Sequence, residues 1–260
     1  MAKKIIDVAK SAGCDAVKFQ KKSVEKIYTK EFLDSPLDSP WGTTQREMRS
    51  HREFSLKQFE EINNYCKQKK IDWYVSCWDI NSQISMRKFR TKFNKVASAM
   101  LVHQKLLEII AEEGKHTFIG TGMSTLQDIS KAITIFNKHN CSFELMHSNS
   151  AYPMKENEAN LLMIPFLKKK FKCKVGYSGH EVAATGICIP AVMLGASSLE
   201  RHVTIDRTLY GHDQAASLEP EGLRRLVRDV RLISSILGDG QKRIWNSEIP
   251  NMKKLRQKFV

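Results

Sequence analysis

Apolar positions along this chain change period again and again. A stretch with apolar residues three and four apart gives way to a short run of β-branched and aromatic residues, and the helical spacing then returns. Phe54, Leu56, Phe59, Ile62 and Cys66 mark one amphipathic helix over Phe54–Lys69, and Asp72–Trp78 (DWYVSCW) after it reads as a strand. The same reading gives strands over Asp15–Gln20, Asn94–Met100, His116–Met123, Ser142–Ser148, Lys174–Tyr177 and Ser198–Thr204. Helices are expected over Ile5–Ala12, Ile80–Phe89, Leu101–Glu113, Glu158–Phe171, Ala183–Leu194 and Glu221–Leu237, with Gly114 ending the third. Ser124 and Gln127 have the spacing of a capping box for one more helix. The connection Lys21–Arg52, with Pro36, Pro40 and Gly42, is long enough to be a lid or disordered.

Strands alternating with helices imply right-handed βαβ units and a parallel sheet. Seven such strands behind one helix with no strand before it predict an α/β fold, a (β/α)8 TIM barrel lacking its first strand, as a single domain over 1–260. A doubly wound open sheet is the alternative, and no GxGxxG follows an early strand to support it. No run approaches the roughly 18 apolar residues that cross a bilayer, and the N-terminus has no apolar core of a secretory signal. Six scattered cysteines, none in a CxxC, fit a reduced cytoplasm. The net charge of +14 is spread along the whole chain with no RNA- or DNA-binding signature among the lysines, so it reads as a solvated basic face compatible with an anionic small substrate, not nucleic acid.

Polar residues at the C-terminal ends of barrel strands point into the mouth where such folds do chemistry. His180 and His202 end neighbouring strands and make a candidate divalent-metal pair, although either alone reads as an ordinary hydrogen-bonded strand end. Lys18 and Lys95 lie within apolar or small-residue strands, where an unpaired ammonium is expensive, and a bound anion would supply the partner. Serines and threonines at the same ends can donate to phosphate or carboxylate oxygens, though each singly fits turn chemistry. His147 ends a further strand.

Seven segments in order, VKFQ (Val17–Gln20), KVAS (Lys95–Ser98), TGMST (Thr121–Thr125), HSNSAYP (His147–Pro153), GYSGHE (Gly176–Glu181), LERHVTIDR (Leu199–Arg207) and DQAASLEPEGL (Asp213–Leu223), resemble the sialic acid synthase family. The resemblance implies a barrel enzyme that joins phosphoenolpyruvate to N-acetylmannosamine or a related N-acetylated hexose and releases phosphate. It implies that Lys18 and Lys95 hold phosphoenolpyruvate, with Ser98, Ser148, Ser150 and Ser178 lining that pocket. By the same likeness His180 and His202 bind a divalent cation, Mn2+ or Mg2+, while Gln20, Tyr152 and Asp213 meet the sugar, Asp213 also near the metal. Glu200 is a further candidate for the acceptor side.

The family opens with a strand ending in an acidic residue and an NHNG-like turn, and this chain starts at the helix that follows them. SCWD (Ser76–Asp79), WGTTQREM (Trp41–Met48) and the basic tail after Pro250 resemble a short branch without the C-terminal antifreeze-like domain. His212 stands where the family usually has a smaller residue. A cytoplasmic enzyme, with room for a homodimer, is the resulting expectation. The alternative is an inactive barrel that only binds a phosphorylated or sugar ligand.

Overall fold

The computed structural model describes residues 1–257. The chain forms two compact units, Met1–Val230 and Arg231–Val260. In chain order the first contains α1 (Ala2–Ala12), β1 (Ala16–Lys21), α2 (Val24–Ile27), α3 (Lys30–Leu33), β2 (Pro36–Ser39), β3 (Gly42–Thr44), α4 (Gln45–His51), α5 (Leu56–Lys69), β4 (Asp72–Cys77), α6 (Ile80–Met86), β5 (Asn94–Val96) and α7 (Gln104–Ala111). It continues through β6 (Thr117–Gly120), α8 (Leu126–Lys138), β7 (Phe143–His147), α9 (Met163–Phe171), β8 (Lys174–Gly179), α10 (Cys188–Met193) and β9 (Leu199–Arg201). Helix α11 (Pro220–Leu237) spans the boundary, and α12 (Ile249–Leu255), with a proline in its first turn, belongs to the second unit. The tail residues from 258 onward lie outside the described part.

Among the described residues, β1, β4, β5, β6, β7, β8 and β9 form one seven-stranded sheet in that order, every pair parallel. The sheet curls until its two edge strands approach: Lys18 Nζ on β1 reaches Glu200 Oε1 on β9 at 3.0 Å. The expected α/β barrel is therefore seen as a curled parallel sheet with helices outside it.

Alternation along each strand sorts the side chains. Val17 on β1 and Trp73, Val75 and Cys77 on β4 face outward and pack against Ile6, Ala9, Phe59, Ile62 and Cys66 of α1 and α5. Val96, Ile119, Leu145 and Val175, all fully buried, face the α7–α10 side, where they meet Leu106, Ile110, Ile129, Phe136 and Ile164. The apolar core is thus a shell between sheet and helices. The inward positions hold Lys18, Tyr74, Ser76, Lys95, Glu144, Ser178 and Glu200 instead.

Three local expectations change. The 21–52 connection is built, not disordered: it carries three short helices and the antiparallel pair β2–β3, packed through Met48 and Leu33, both essentially unexposed. Its aromatic rings reach the segment after β9, with Trp41 edge-on to Tyr210 at 5.4 Å. The cap of α8 is Thr125 with Asp128, one residue beyond the expected Ser124 and Gln127, because Thr125 takes the extended conformation that an N-cap requires. Strand β5 stops at Val96, and Ser98–Met100 coils into a 3-10 turn. By contrast α1 ends as its sequence demands, on Gly13 at φ 86, the left-handed region that glycine enters without strain.

Because Phe59 is fully buried and stacks on Trp73 at 6.1 Å, Phe59→Ala should cost about 3–5 kcal/mol. Urea unfolding of the two proteins measures it, and a loss below about 1 kcal/mol would contradict the placement of the core.

Candidate active site

Four strands deliver one ionic cluster into the curled sheet. Glu200 Oε1 accepts from Lys18 Nζ at 3.0 Å, from Lys95 Nζ at 3.2 Å and from Ser178 Oγ at 3.1 Å. Lys18 lies on β1, Lys95 on β5, Ser178 on β8 and Glu200 on β9. The sequence suggested a bound anion as the lysines' partner; within the chain, Glu200 already pairs both. Two ammonium groups against one carboxylate still leave the cluster one charge positive. Burial pushes the Lys95 ammonium down to about 8, with Glu200 opposing the shift. Burial alone would raise the Glu200 carboxyl, but Lys18 and Lys95 outweigh it and hold the group well below the usual carboxylate range. Its second oxygen, Oε2, is buried with no hydrogen-bond partner.

Near this cluster two imidazoles, His180 and His202, meet edge-on, with ring centroids 5.3 Å apart and planes at 75°. His180 Nδ1–H donates to the carbonyl of Asn149, a role that leaves Nε2 with a free lone pair. His202 Nδ1 stands 3.6 Å from Asp213 Oδ2. Burial lowers both rings' affinity for a proton, and with Lys18 close by His202 falls to about 4. Both are therefore neutral near pH 7, the form that can ligate a cation. Tyr152 packs on His180 at 4.1 Å and against His202 at 5.5 Å. No group of three or more His, Cys, Asp or Glu among the described residues is arranged as a complete metal cage. Two nitrogen donors and a nearby carboxylate make a partial set, suited to a cation that keeps open positions for water or substrate.

The remaining predicted residues gather around the same mouth. Gln20 pairs in register with Ser76 on β4. Ser98 Oγ accepts from the Gly122 amide at 3.1 Å. A Cβ at Gly120 would lie 2.7 Å from that same Oγ and 3.0 Å from the Ser98 amide, so only glycine leaves Ser98 this room. Ser148 is buried and makes one long contact, 3.4 Å to the Asn149 carbonyl. Ser150 Oγ and Ser76 Oγ are buried without partners, and native interiors rarely leave such atoms unsatisfied. His147 turns away: its Nε2 bonds the Ala159 carbonyl at 2.8 Å and braces the following connection. His212 is exposed, 6.5 Å ring to ring from Tyr210.

Directly behind the imidazoles lies an ion pair that sequence reasoning passed over. Arg201 Nη1 bonds Glu181 Oε1 at 2.7 Å, with both side chains almost wholly excluded from solvent. Tyr177 Oη donates to Glu181 Oε2 at 3.0 Å, and Arg201 also donates to the Ala183 carbonyl at 2.9 Å. Glu181 follows His180 and Arg201 precedes His202, so this pair ties together the two backbones that carry the imidazoles. The sequence signal was there, as charged neighbours of both histidines, but charge beside a site reads more readily as part of the site than as its buttress.

The fold and this mouth define the class: a parallel α/β barrel with its polar residues collected at the C-terminal ends of the strands. A profile of the NeuB family matches residues 5–242, and the chain belongs to that family. The chain is 35% identical over 263 residues to mouse N-acetylneuraminate-9-phosphate synthase, covering 100% of this chain and 73% of that protein. It is 31% identical over 266 residues to the N,N'-diacetyllegionaminic acid synthase of Campylobacter jejuni, covering 100% and 79%. Among solved structures, the N-acetylneuraminic acid (sialic acid) synthetase of Leptospira borgpetersenii, in complex with citrate, superposes with a TM-score of 0.83 at 30% identity, over 99% of this chain and 86% of that one.

Removing one partner of the Arg201–Glu181 pair strands a charge in the interior. Arg201→Met should therefore destabilise the protein by about 3–5 kcal/mol. Denaturant unfolding reads this, and a variant as stable as the parent would show that Glu181 finds other compensation.

Proposed function

We propose that this protein is a nonulosonic-acid synthase that condenses phosphoenolpyruvate with an N-acetylated hexosamine and releases inorganic phosphate. The observation that carries the reading is the Lys18–Glu200–Lys95 cluster, one charge positive and buried inside the barrel next to two neutral imidazoles. The names of the relatives support the product class.

In this reading the two lysines hold the carboxylate and phosphate of phosphoenolpyruvate, partly exchanging Glu200 for substrate oxygens. Ser98, Ser148, Ser150 and Ser178 donate to the same oxygens, and Ser150, without a partner of its own, is free to do so. C3 of the enol attacks the aldehyde carbon of the open-chain sugar, forming the new C–C bond as the aldehyde oxygen takes a proton. Water adds at C2, the C2–O bond to phosphorus breaks, and phosphate departs with its electron pair. Lys18 and Lys95 stabilise that leaving charge in a site with little water to screen it. Glu200 can accept a proton from the attacking water once a lysine has turned to the substrate. Gln20, Tyr152 and Asp213 line the acceptor side. His180 and His202, with Asp213 near, fit two ligand positions of a divalent cation such as Mn2+ or Mg2+, which when bound would polarise the aldehyde as a Lewis acid.

The direct test is phosphate release from phosphoenolpyruvate with Mn2+ and a panel of N-acetylated hexoses; no release with any of them, in a folded protein, would sink the proposal. Lys95→Met keeps most of the apolar stem and removes the charge. It should weaken phosphoenolpyruvate binding at least about tenfold, roughly 1.4 kcal/mol. His180→Ala and His202→Ala should each lower Mn2+ affinity, read by calorimetry, while leaving the melting temperature within a few degrees; unchanged affinity in both would place the cation elsewhere.

The depressed Lys95 also sets a pH dependence. With a free-enzyme value of about 8, Lys95 is charged below that pH and loses its proton as pH rises through it. Affinity for phosphoenolpyruvate should therefore be steady below about pH 7.5 and fall as pH climbs above about 8. The same titration on Lys95→Met should be flatter, and identical pH profiles in the two proteins would remove Lys95 from the anion site.

A further inference from the structure

The connection between β7 and α9 makes three contacts with one residue, His180. The Asn149 carbonyl accepts from the ring at Nδ1, and Tyr152 packs against that ring with centroids 4.1 Å apart. The Met154 amide donates to the His180 carbonyl at 3.0 Å. One segment thus grips both the ring and the backbone of this histidine. The segment is also closed at its base. His147, just before it, donates from Nε2 to the Ala159 carbonyl at 2.8 Å. Beside that bond the Asn149 side-chain amide donates to Glu158 Oε2 at 3.3 Å, and Glu158 belongs to the 3-10 turn Glu156–Glu158. The other end of the same amide, Oδ1, accepts from the Ala151 amide at 2.8 Å. A bond from a side chain to the backbone two residues on is an Asx turn. It fixes ψ of Asn149, and ψ sets where the Asn149 carbonyl points.

We propose that Asn149 and Glu158 are positioning residues for His180, an inference that rests on the cation reading above. A carbonyl oxygen only accepts, so the ring nitrogen bonded to it carries the proton, and Nε2 keeps its lone pair. A neutral imidazole in water favours the opposite tautomer, with the proton on Nε2. The Asn149 carbonyl therefore selects the ligating tautomer before any cation arrives. Its direction is set in turn by the Asn149 side chain, through the Asx turn. Glu158 fixes which way round that side-chain amide lies, because only the NH2 end can bond a carboxylate and Oδ1 is then left to Ala151. Both bonds are exposed to water, so they add little to folding stability. What they supply is direction, carried from Glu158 to Asn149 to the imidazole. A hydrogen-bond partner on the far nitrogen is the usual means of orienting a histidine ligand.

The test reads the His180 tautomer directly, from the NMR shifts of its two ring nitrogens in the metal-free protein near neutral pH, assigned by their loss in His180→Ala. Mn2+ affinity is measured by calorimetry on the same samples. The parent should carry its proton on Nδ1. Asn149→Ala removes the Asx turn; it should move the population toward the Nε2 tautomer and raise the Kd for Mn2+ about tenfold or more. The double variant Asn149→Asp/Glu158→Gln reverses the polarity of the side-chain pair at unchanged net charge: aspartate still accepts from Ala151, and glutamine donates back to aspartate. It should restore both the tautomer and most of the affinity. A purely structural role would lower the melting temperature and leave the tautomer alone. The positioning role is overturned by a parent that carries the Nε2 proton, by an unmoved tautomer or an unchanged Kd in Asn149→Ala, or by a double variant no better than Asn149→Ala. Failure of the cation reading is distinguishable: it shows as a parent that binds no Mn2+, while the tautomer, read without metal, still decides whether Asn149 orients the ring.

Discussion

Everything at the mouth of this barrel depends on one carboxylate held between two lysines. Glu200 sits on the last strand of the sheet, Lys18 on the first, and no backbone hydrogen bond joins those strands among the described residues. The ion pair therefore spans the seam of the curled sheet. Its geometry also fixes Lys95 from the middle of the order, on β5. A buried lysine without that carboxylate would lose its proton, and two lysines without it would repel each other. With it, the cluster stays charged and one unit positive, the condition for accepting a small polyanion.

Such a polar lumen is tolerated because apolar burial is done elsewhere. The fully buried Val96, Ile119, Leu145 and Val175 turn outward to the helices, and Phe59, Ile62 and Cys66 serve β1 and β4 in the same way. Strand alternation permits the division: each outward side chain adds to the shell, and each inward one is free for chemistry. The imidazoles stand on a polar buttress instead. Arg201 and Glu181, excluded from water behind them, hold the backbones of β9 and of the turn after β8 in fixed relation. Rigid backing of this kind fixes the spacing of the two imidazoles.

Most of the fold was legible from period alone. All seven strands lie where their apolar runs predicted them, since a β-rich run between two amphipathic helices has few other solutions. Boundaries were less so. Ser98 was read inside a strand, but Gly120 and Gly122 opposite let the chain coil there, a tertiary fact with no local sequence mark. The connection after β1 looked unstructured because its helices are four to seven residues long, too short for periodicity to register. Of the site, the predicted serines, imidazoles and lysines do meet at one mouth. Their pairing was not legible: nothing in a linear sequence says that Glu200 of the last strand closes on Lys18 of the first.

The same limit explains why neither His147 nor Glu181 could be given a role from the sequence. His147 ends a strand as His180 does, and composition cannot tell them apart. What separates them is the direction of the strand end: His147 bonds the Ala159 carbonyl of the following connection, whereas His180 spends Nδ1 on Asn149 and lies 5.3 Å ring to ring from His202. Glu181 follows His180 in sequence, yet Tyr177 and Arg201 bond it in the interior. One step along a strand end reverses the side of the sheet a side chain faces. A residue next in sequence to an inward-facing one is thus placed to support it from behind, and its own charge must be neutralised there by a partner on the neighbouring strand, as Arg201 does for Glu181.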